Sequence, residues 1–343
     1  MSRSTNILGQ LGILGIIGLL VSCSPRIATS FWRIGTPADS TREGYAVLYE
    51  GTKMRHCYPI TEWTADPAVD TYHQLHHHGV AVESDLMAYR IYFDKKQTID
   101  PYCKRKPQLE LAQSHWYPND SLLAEGYGDD ILRVSGTVGV GSVKYWNGTK
   151  MVHIEPVAER SQRIVKQTRT EATIEVSAKE WQVEGMQVFM HTDYTMRAGH
   201  RDMRCDVYVW GDEYGDPVEG LCTGVQTIPA KGGCDTSVVY LPNGVLLASW
   251  GTDWPVNDSA KYAKETVGLA VFIPYPYAGD IVHDKQNLLC LLKQSPISYH
   301  QSQMCPTAHF YLTVCGATKE NHPVATNATE WLIYLRKWAK GLK

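Results

Sequence analysis

The chain has 343 residues, a formal net charge of −3, nine cysteines, and ten Trp and 20 Tyr against five Phe. Charge this close to neutral, with no basic stripe, argues against nucleic acid as a partner, because phosphate-backbone binding is carried by clustered Lys and Arg. The length suffices for one large domain or two modest ones.

Residues 1–25 read as an address. Arg3 gives a short positive start, residues 7–21 are apolar and broken by glycines, and Leu20-Val21-Ser22-Cys23 ends the run. It is short for a membrane span and has the layout of a secretory signal. Small residues before a cysteine make it resemble the bacterial lipoprotein signal. That likeness implies a signal peptide over 1–22, lipidation at Cys23, and an exported protein held to the cell envelope by acyl chains. Residues 24–30 lack the acidic run expected, by analogy, of outward-facing lipoproteins, which favours the periplasmic side of the outer membrane. Residues 23–42 then read as a tether and 43–343 as a single domain. Eight cysteines remain, scattered and without a CxxC pair, so no zinc site is indicated. In an oxidising compartment Cys222 to Cys234 is a plausible loop closure. Cys205, Cys290 and Cys315 sit in apolar runs, where a free thiol packs as a small hydrophobe.

Residues 73–96, HQLHHHGVAVESDLMAYRIYFDKK, carry the densest chemistry. Four histidines in six residues lead through Glu83 and Asp85 into a run of strict alternation. Met87, Tyr89, Ile91 and Phe93 fall on one strand face, and Ala88, Arg90, Tyr92 and Asp94 on the other. The first face is core. The second is either an ion pair on an exposed sheet or the wall of a polar cleft, and the neighbouring histidines favour the cleft. Adjacent strand histidines point oppositely, so at most His76 and His78 share a face. Residues 100–107, DPYCKRKP, read as a turn-rich loop that with Lys95 and Lys96 gathers five basic residues.

Farther along, Pro118, Asn119 and Asp120 open a short helix that Gly126 and Gly128 stop, with His115-Trp116 before it and Asp129-Asp130 after it. Leu132, Val134, Val138 and Val140 suggest another alternating strand. From residue 150 the pattern is strands and tight turns. Residues 186–196 and 201–210 flank Arg197-Ala198-Gly199-His200, a hairpin signal. His191 and Asp193 share a face with Phe189. Trp250-Gly251-Thr252-Asp253-Trp254 reads as a glycine-hinged aromatic loop, suited to sugar stacking or to loop packing. Asn327 and Glu330 fit a capping box, and Trp331, Leu335, Trp338 and Leu342 recur at helical spacing. The whole predicts an all-β, mostly antiparallel domain with a few short helices and a C-terminal amphipathic helix.

The cluster His76, His77, His78, Glu83, Arg90, Tyr92, Asp94, Lys95 and His115 has the residue types of sugar-acid chemistry. Elimination across a uronic acid needs a cation to neutralise the carboxylate, here Arg90; a base, Tyr92 or His78; and an acid, His115. His76, His77, Glu83, Asp94 and Lys95 would bind the glycan, with Trp116 and Trp250 as stacking surfaces. No cofactor is called for; a divalent cation is the alternative neutraliser. Hydrolysis would instead use two carboxylates across the sugar, from Asp94, Glu83, Asp129 and Asp130. A non-catalytic glycan binder would rely on Trp250. No metal ligand is assigned, since a calcium site at Asp129-Asp130 would need more oxygen ligands.

The runs HHHGVAVESDLMAYRIYFDKKQTIDPY, GDDILRVSGTVGVGSVK and YTMRAGHRDMRCDVYVW resemble a family of Bacteroidetes lipoproteins known as domain of unknown function 4861, over about residues 45–340. The resemblance implies a β-supersandwich similar to the galactose-mutarotase-like proteins, in organisms that degrade acidic plant or algal polysaccharides. That superfamily holds epimerases, lyases and binding modules, so the fold alone does not choose among them. The chain departs from the family at Cys103, where a glycine is expected in a turn. The resulting expectation is an exported protein acting on uronic-acid-containing glycan, foremost as a β-eliminating lyase, then as a hydrolase or epimerase, then as a binding protein.

Overall fold

The computed structural model describes residues 26–50, 53–114, 116–211, 217–228, 234–260 and 262–342. They form an antiparallel β-sandwich. One layer is a nine-stranded sheet whose spatial order is Asp235–Leu241, Gly244–Asp253, Glu265–Pro274, Ala308–Gly316, Asp202–Gly211, Met186–Arg197, Glu171–Val183, Glu159–Gln167 and Glu62–Ala65. Two five-stranded sheets share the opposite layer. The first runs Ile27–Ser30, Gly79–Ser84, Met87–Tyr92, Ile99–Cys103, Asp129–Asp130; the second is built around Leu221–Gln226 and Asn287–Leu292.

Alternation explains how the layers join. In Met186–Arg197 the side chains of Val188, Met190, Tyr194 and Met196 turn inward and meet Val80, Val82, Tyr89 and Ile91 in one continuous core. Phe189, His191 and Asp193 face outward, half-buried. At the other end of the large sheet the outward face is apolar, with Leu246, Ala248, Trp250, Ala270 and Phe272, and the C-terminal helix Ala328–Lys340 covers it with Trp331 and Leu335. Asn327 caps that helix by accepting from the Glu330 amide at 3.0 Å. The Glu330 carboxylate turns to the Thr326 amide and hydroxyl, both at 2.8 Å, rather than to the Asn327 backbone. The predicted 197–200 hairpin is present, with Gly199 at φ +74°. Asn119 caps the short helix Asp120–Ala124.

Several expectations are corrected. The stretch read as a tether is woven into the body: Ile27–Ser30 pairs with Gly79–Ser84, and Trp32–Ile34 with residues 57–59. Residues 100–103 are strand rather than loop, and Cys103 sits in its extended backbone, buried, where a turn was expected. Residues 131–143 are irregular, touching the sheets through single bridges at Gly139 and Val140. Cys222 and Cys234 are both free thiols, as are the other described cysteines. Among the described residues no helix is long and apolar enough to cross a membrane. Cys23 lies outside them.

Candidate functional site

The alternating run is a strand as expected, but both of its faces are covered. Met87, Tyr89 and Ile91 enter the sandwich core, while Ala88 packs with Ala81, Tyr102 and Leu111 on the other face. The hairpin after it is set by Asp94, whose Oδ1 accepts from the amides of Lys96 (2.8 Å) and Gln97 (3.3 Å), an Asx turn. That turn fixes the register that puts Arg90 opposite Asp100, and one strand on, Tyr102 opposite Asp130.

Arg90 is therefore met by carboxylates from two strands. Its Nη2 donates to Asp100 Oδ2 at 2.6 Å and pairs with Asp130 Oδ1, and its Nη1 donates to the Trp116 carbonyl at 3.1 Å. The Tyr92 hydroxyl donates to the same Asp100 oxygen at 2.6 Å. All four side chains are almost wholly buried. Burial and the Asp100 charge push the Tyr92 phenol well above its ordinary value, so it stays protonated and acts as a donor. Among the described residues Asp100 Oδ1 has no hydrogen-bond partner, an unmet acceptor beside a cleft. That cleft, about 240 Å³, is lined by Tyr72, Tyr92, Lys96, Asp100, Tyr117 and Asp130, with residues 132–135 and 255–257 across from them.

Behind Tyr72 lies an aromatic stack. The His78 ring is sandwiched between Tyr72 (centroids 3.8 Å apart, planes at 6°) and Trp116 (4.9 Å, 21°). Tyr92 meets both Tyr72 and His78 edge-on. His78 Nδ1 donates to the Tyr72 carbonyl at 3.0 Å, which leaves the lone pair of the neutral ring on Nε2. Burial, with lesser help from Arg90 and Lys96, lowers its pKa to about 3. The ring is neutral at ordinary pH.

The histidine run is not strand. Residues 76–78 form a 3₁₀ turn in which His77 (φ 53°) and His78 (φ 59°) are both left-handed, a conformation non-glycine residues enter at a cost of about 1–3 kcal/mol each. The turn drives His76 and His77 inward, both fully buried, with His76 stacked on Trp32 and His77 Nε2 donating to the Leu111 carbonyl at 2.9 Å. Neither reaches the cleft, so their expected glycan contacts are corrected to packing roles. Glu83 is likewise buried. It pairs with Lys104 and accepts from the amides of Glu110 (2.8 Å) and Leu111 (3.0 Å), anchoring the 104–111 segment. Trp250 is strand, not loop, and packs against Trp331 in the helix-covered core. It offers no sugar platform. Trp116 is held by Nε1 donating to the Leu75 carbonyl at 3.1 Å and contributes to the stack. Asp94 and Lys95 stand at the hairpin tip, outside the cleft. His115 lies outside the described residues.

Sequence reasoning missed Asp100 and Tyr72, and placed Lys96 only in a run of basic residues. Asp100 had a signal, a carboxylate ten residues after Arg90 across a hairpin, but the strand it needs was read as loop. For metals, Glu175, His191 and Asp193 on the outward face of the large sheet are the group within ligating reach of one another among the described residues. Both Glu175 oxygens are taken by Arg163, at 2.8 and 2.7 Å.

Residues 37–343 match the family described as a domain of unknown function, DUF4861. The chain belongs to this family. The DUF4861 match spans the strands that carry Arg90, Asp100 and Asp130, and the aromatic stack with them. No curated protein and no solved structure matches the chain.

Proposed function

We propose that the protein is an exported carbohydrate-active enzyme that works on uronic-acid-containing oligosaccharides in the Tyr92–Asp100–Asp130 cleft. Carboxylate and phenol do the proton transfers. The observation that carries this reading is the pair Asp100 and Asp130, held by the buried Arg90 behind them and lining a cleft with Tyr72, Tyr92 and Tyr117. Elimination needs a cation free to take the substrate carboxylate, and Arg90 already serves two. Asp100 and Asp130, fixed by one guanidinium, instead present a pair of acceptors with Tyr92 as a positioned donor. In this scheme Asp130 takes a proton from the attacking water or the anomeric hydroxyl, the Tyr92 O–H turns from Asp100 to give its proton to the leaving or ring oxygen, and the proton held on Asp130 restores Tyr92 at the end of the cycle. Tyr72 and Tyr117 supply apolar faces with polar edges, which suit sugar rings. This places the chemistry with hydrolases and epimerases.

Elimination is a second reading, favoured by Lys96. Its ammonium lies 5.1 and 5.0 Å from the ring centres of Tyr72 and Tyr92 and, among the described residues, pairs with Asp94 alone, at 3.2 Å. Incubation with pectic and algal oligosaccharides separates the two: new reducing ends or inverted sugars without an unsaturated uronate are expected, and a double-bond absorbance would instead select elimination. No change in any of them would defeat both.

Export belongs to the same proposal. Residues 1–22 would be removed and Cys23 acylated, placing the domain at an envelope membrane, periplasm-facing. Labelling with a radioactive fatty acid, lost in Cys23→Ala, tests it.

A further inference from the structure

A second cavity, about 550 Å³, adjoins the cleft and shares Tyr72 and Lys96 with it. Its walls are the 65–73 loop, the hairpin tip at 93–96, and residues 155–157 with Arg160. Arg160 is its unusual member. The side chain is 95 % buried on the strand Glu159–Gln167, and its Nη2 donates to the Ile154 carbonyl. Its Nη1 has no hydrogen-bond partner, and among the described residues no carboxylate forms an ion pair with it. The acidic groups of the cavity are otherwise engaged: Asp94 with Lys96 (3.2 Å), Glu155 with Lys95 (3.3 Å), Asp70 with His73 (2.8 Å), and Asp66 with the Ala68 amide (2.7 Å). A buried guanidinium without a counter-ion is costly, by several kcal/mol, and is normally paired.

Lys144 is fully buried behind the hairpin, its Nζ donating to the Lys96 carbonyl and to Thr98 Oγ1 (3.1 Å). Burial lowers its pKa to about 7. The neighbouring His153 ring is lowered to about 3, by burial first and then by Lys144, Lys95, Lys96 and Arg160. Lys95, Lys96 and Arg160 thus line the cavity together with four carboxylates, of which Asp94 and Glu155 act on Arg160 from a distance without pairing with it.

We propose that this cavity is an oxyanion subsite, in which Arg160 with Lys95 and Lys96 at the rim binds a negatively charged group on the sugar next to the one in the cleft. The inference rests on the glycan reading for its ligand but not for its charge preference. A uronate carboxylate and a sulfate ester offer the same chemistry, planar or tetrahedral oxygens for a guanidinium fork.

The test is calorimetric titration of the full chain with trigalacturonate, with its methyl ester, and with a sulfated galactan oligosaccharide, for wild type, Arg160→Gln and Lys95→Gln. Glutamine removes the charge while keeping a polar side chain, and circular dichroism checks the fold. Arg160→Gln should weaken the preferred anionic glycan at least tenfold and leave the neutral ester unchanged; whichever anion shows this loss is the source. Lys95 is exposed, so Lys95→Gln should fold normally and weaken the same ligand two- to threefold. Equal affinity in wild type and both variants, or equal loss of acid and ester, overturns the subsite. If no oligosaccharide binds at all, the glycan reading fails separately. The subsite then stands if inorganic sulfate raises the melting temperature of wild type, and of Lys95→Gln somewhat less, but not that of Arg160→Gln, and falls if it raises wild type and Arg160→Gln alike or raises neither.

Discussion

Two buried ion clusters lie on the same face of one sheet, a few residues apart, and they do different things. Glu83 and Arg90 are diagonal neighbours, since Glu83 registers with Ala88 and Ala81 with Arg90. Around Glu83 the chain closes completely: Lys104 neutralises it and two amides fill its remaining acceptor sites. Around Arg90 it does not close. Two carboxylates share one guanidinium, a phenol donates to one of them, one carboxylate oxygen is left over, and a cleft opens beside them. Burial and charge are common to both clusters. What separates a clasp from a candidate site is an unmet acceptor in a cluster whose carboxylates line a cleft.

The contrast is broken most easily at the clasp. Glu83→Ala leaves the Lys104 ammonium buried without a partner and the Glu110 and Leu111 amides unmet. A loss of about 3–5 kcal/mol in urea unfolding is expected. Activity per folded molecule should be unchanged, because Glu83 touches nothing in the cleft. A variant that kept its stability and lost turnover would put Glu83 in the site after all.

The second effect is on rate. Asp130→Asn keeps the size of the side chain and, with Asp100, one full charge against Arg90, but removes the proposed base. Turnover of the oligosaccharide should fall roughly 10²–10⁴-fold, the range for losing one positioned proton-transfer group. The cost in stability should be smaller than for Glu83→Ala. Unchanged turnover with a Glu83-sized stability loss would make the Arg90 cluster a second clasp.

The alternation of residues 87–93 was legible because period two is a local property, and so was the C-terminal helix, whose cap and apolar spacing are written within 16 residues. Arg90's partners were not. Asp100 precedes Pro101 and a basic run, features that demote a strand, yet Pro101 is accommodated opposite Tyr89 in the sheet. The histidine run was misread for a related reason: two consecutive left-handed residues are imposed by tertiary contacts at Leu111 and Trp32, and no local rule predicts them. Gly251 suggested a hinge beside Trp250. In the fold it is a close approach, where a Cβ would stand 2.7 Å from Ile228 Cβ. Local periodicity thus gave the elements, while the site depends on register between them.

The smallest expected effect concerns His78, which borders the cluster through Tyr92 and Tyr72. Its folded pKa of about 3 lies below the ordinary 6.5, so the sign is fixed. Above pH 6.5 neither folded nor unfolded chain protonates this ring, and its contribution to stability is fully present. As pH falls from 6.5 toward 3, the unfolded chain takes up a proton that the stacked ring refuses, and that contribution is lost. His153, also near 3, acts in the same direction, whereas Asp193, raised to about 7 chiefly by burial, lends stability that is present below its ordinary 3.8 and lost as pH rises toward 7. The bulk acid profile therefore mixes opposite slopes, and the informative quantity is a difference. His78→Phe preserves an aromatic ring between Tyr72 and Trp116 but cannot titrate. Relative to wild type, it should be stabilised between pH 6.5 and 4 by a few kcal/mol at most, offset at every pH by loss of the Nδ1 bond to the Tyr72 carbonyl. If the gap between the two unfolding curves does not vary with pH, the imidazole is not shielded in the stack, and it returns to the proton-transfer groups within reach of the cleft.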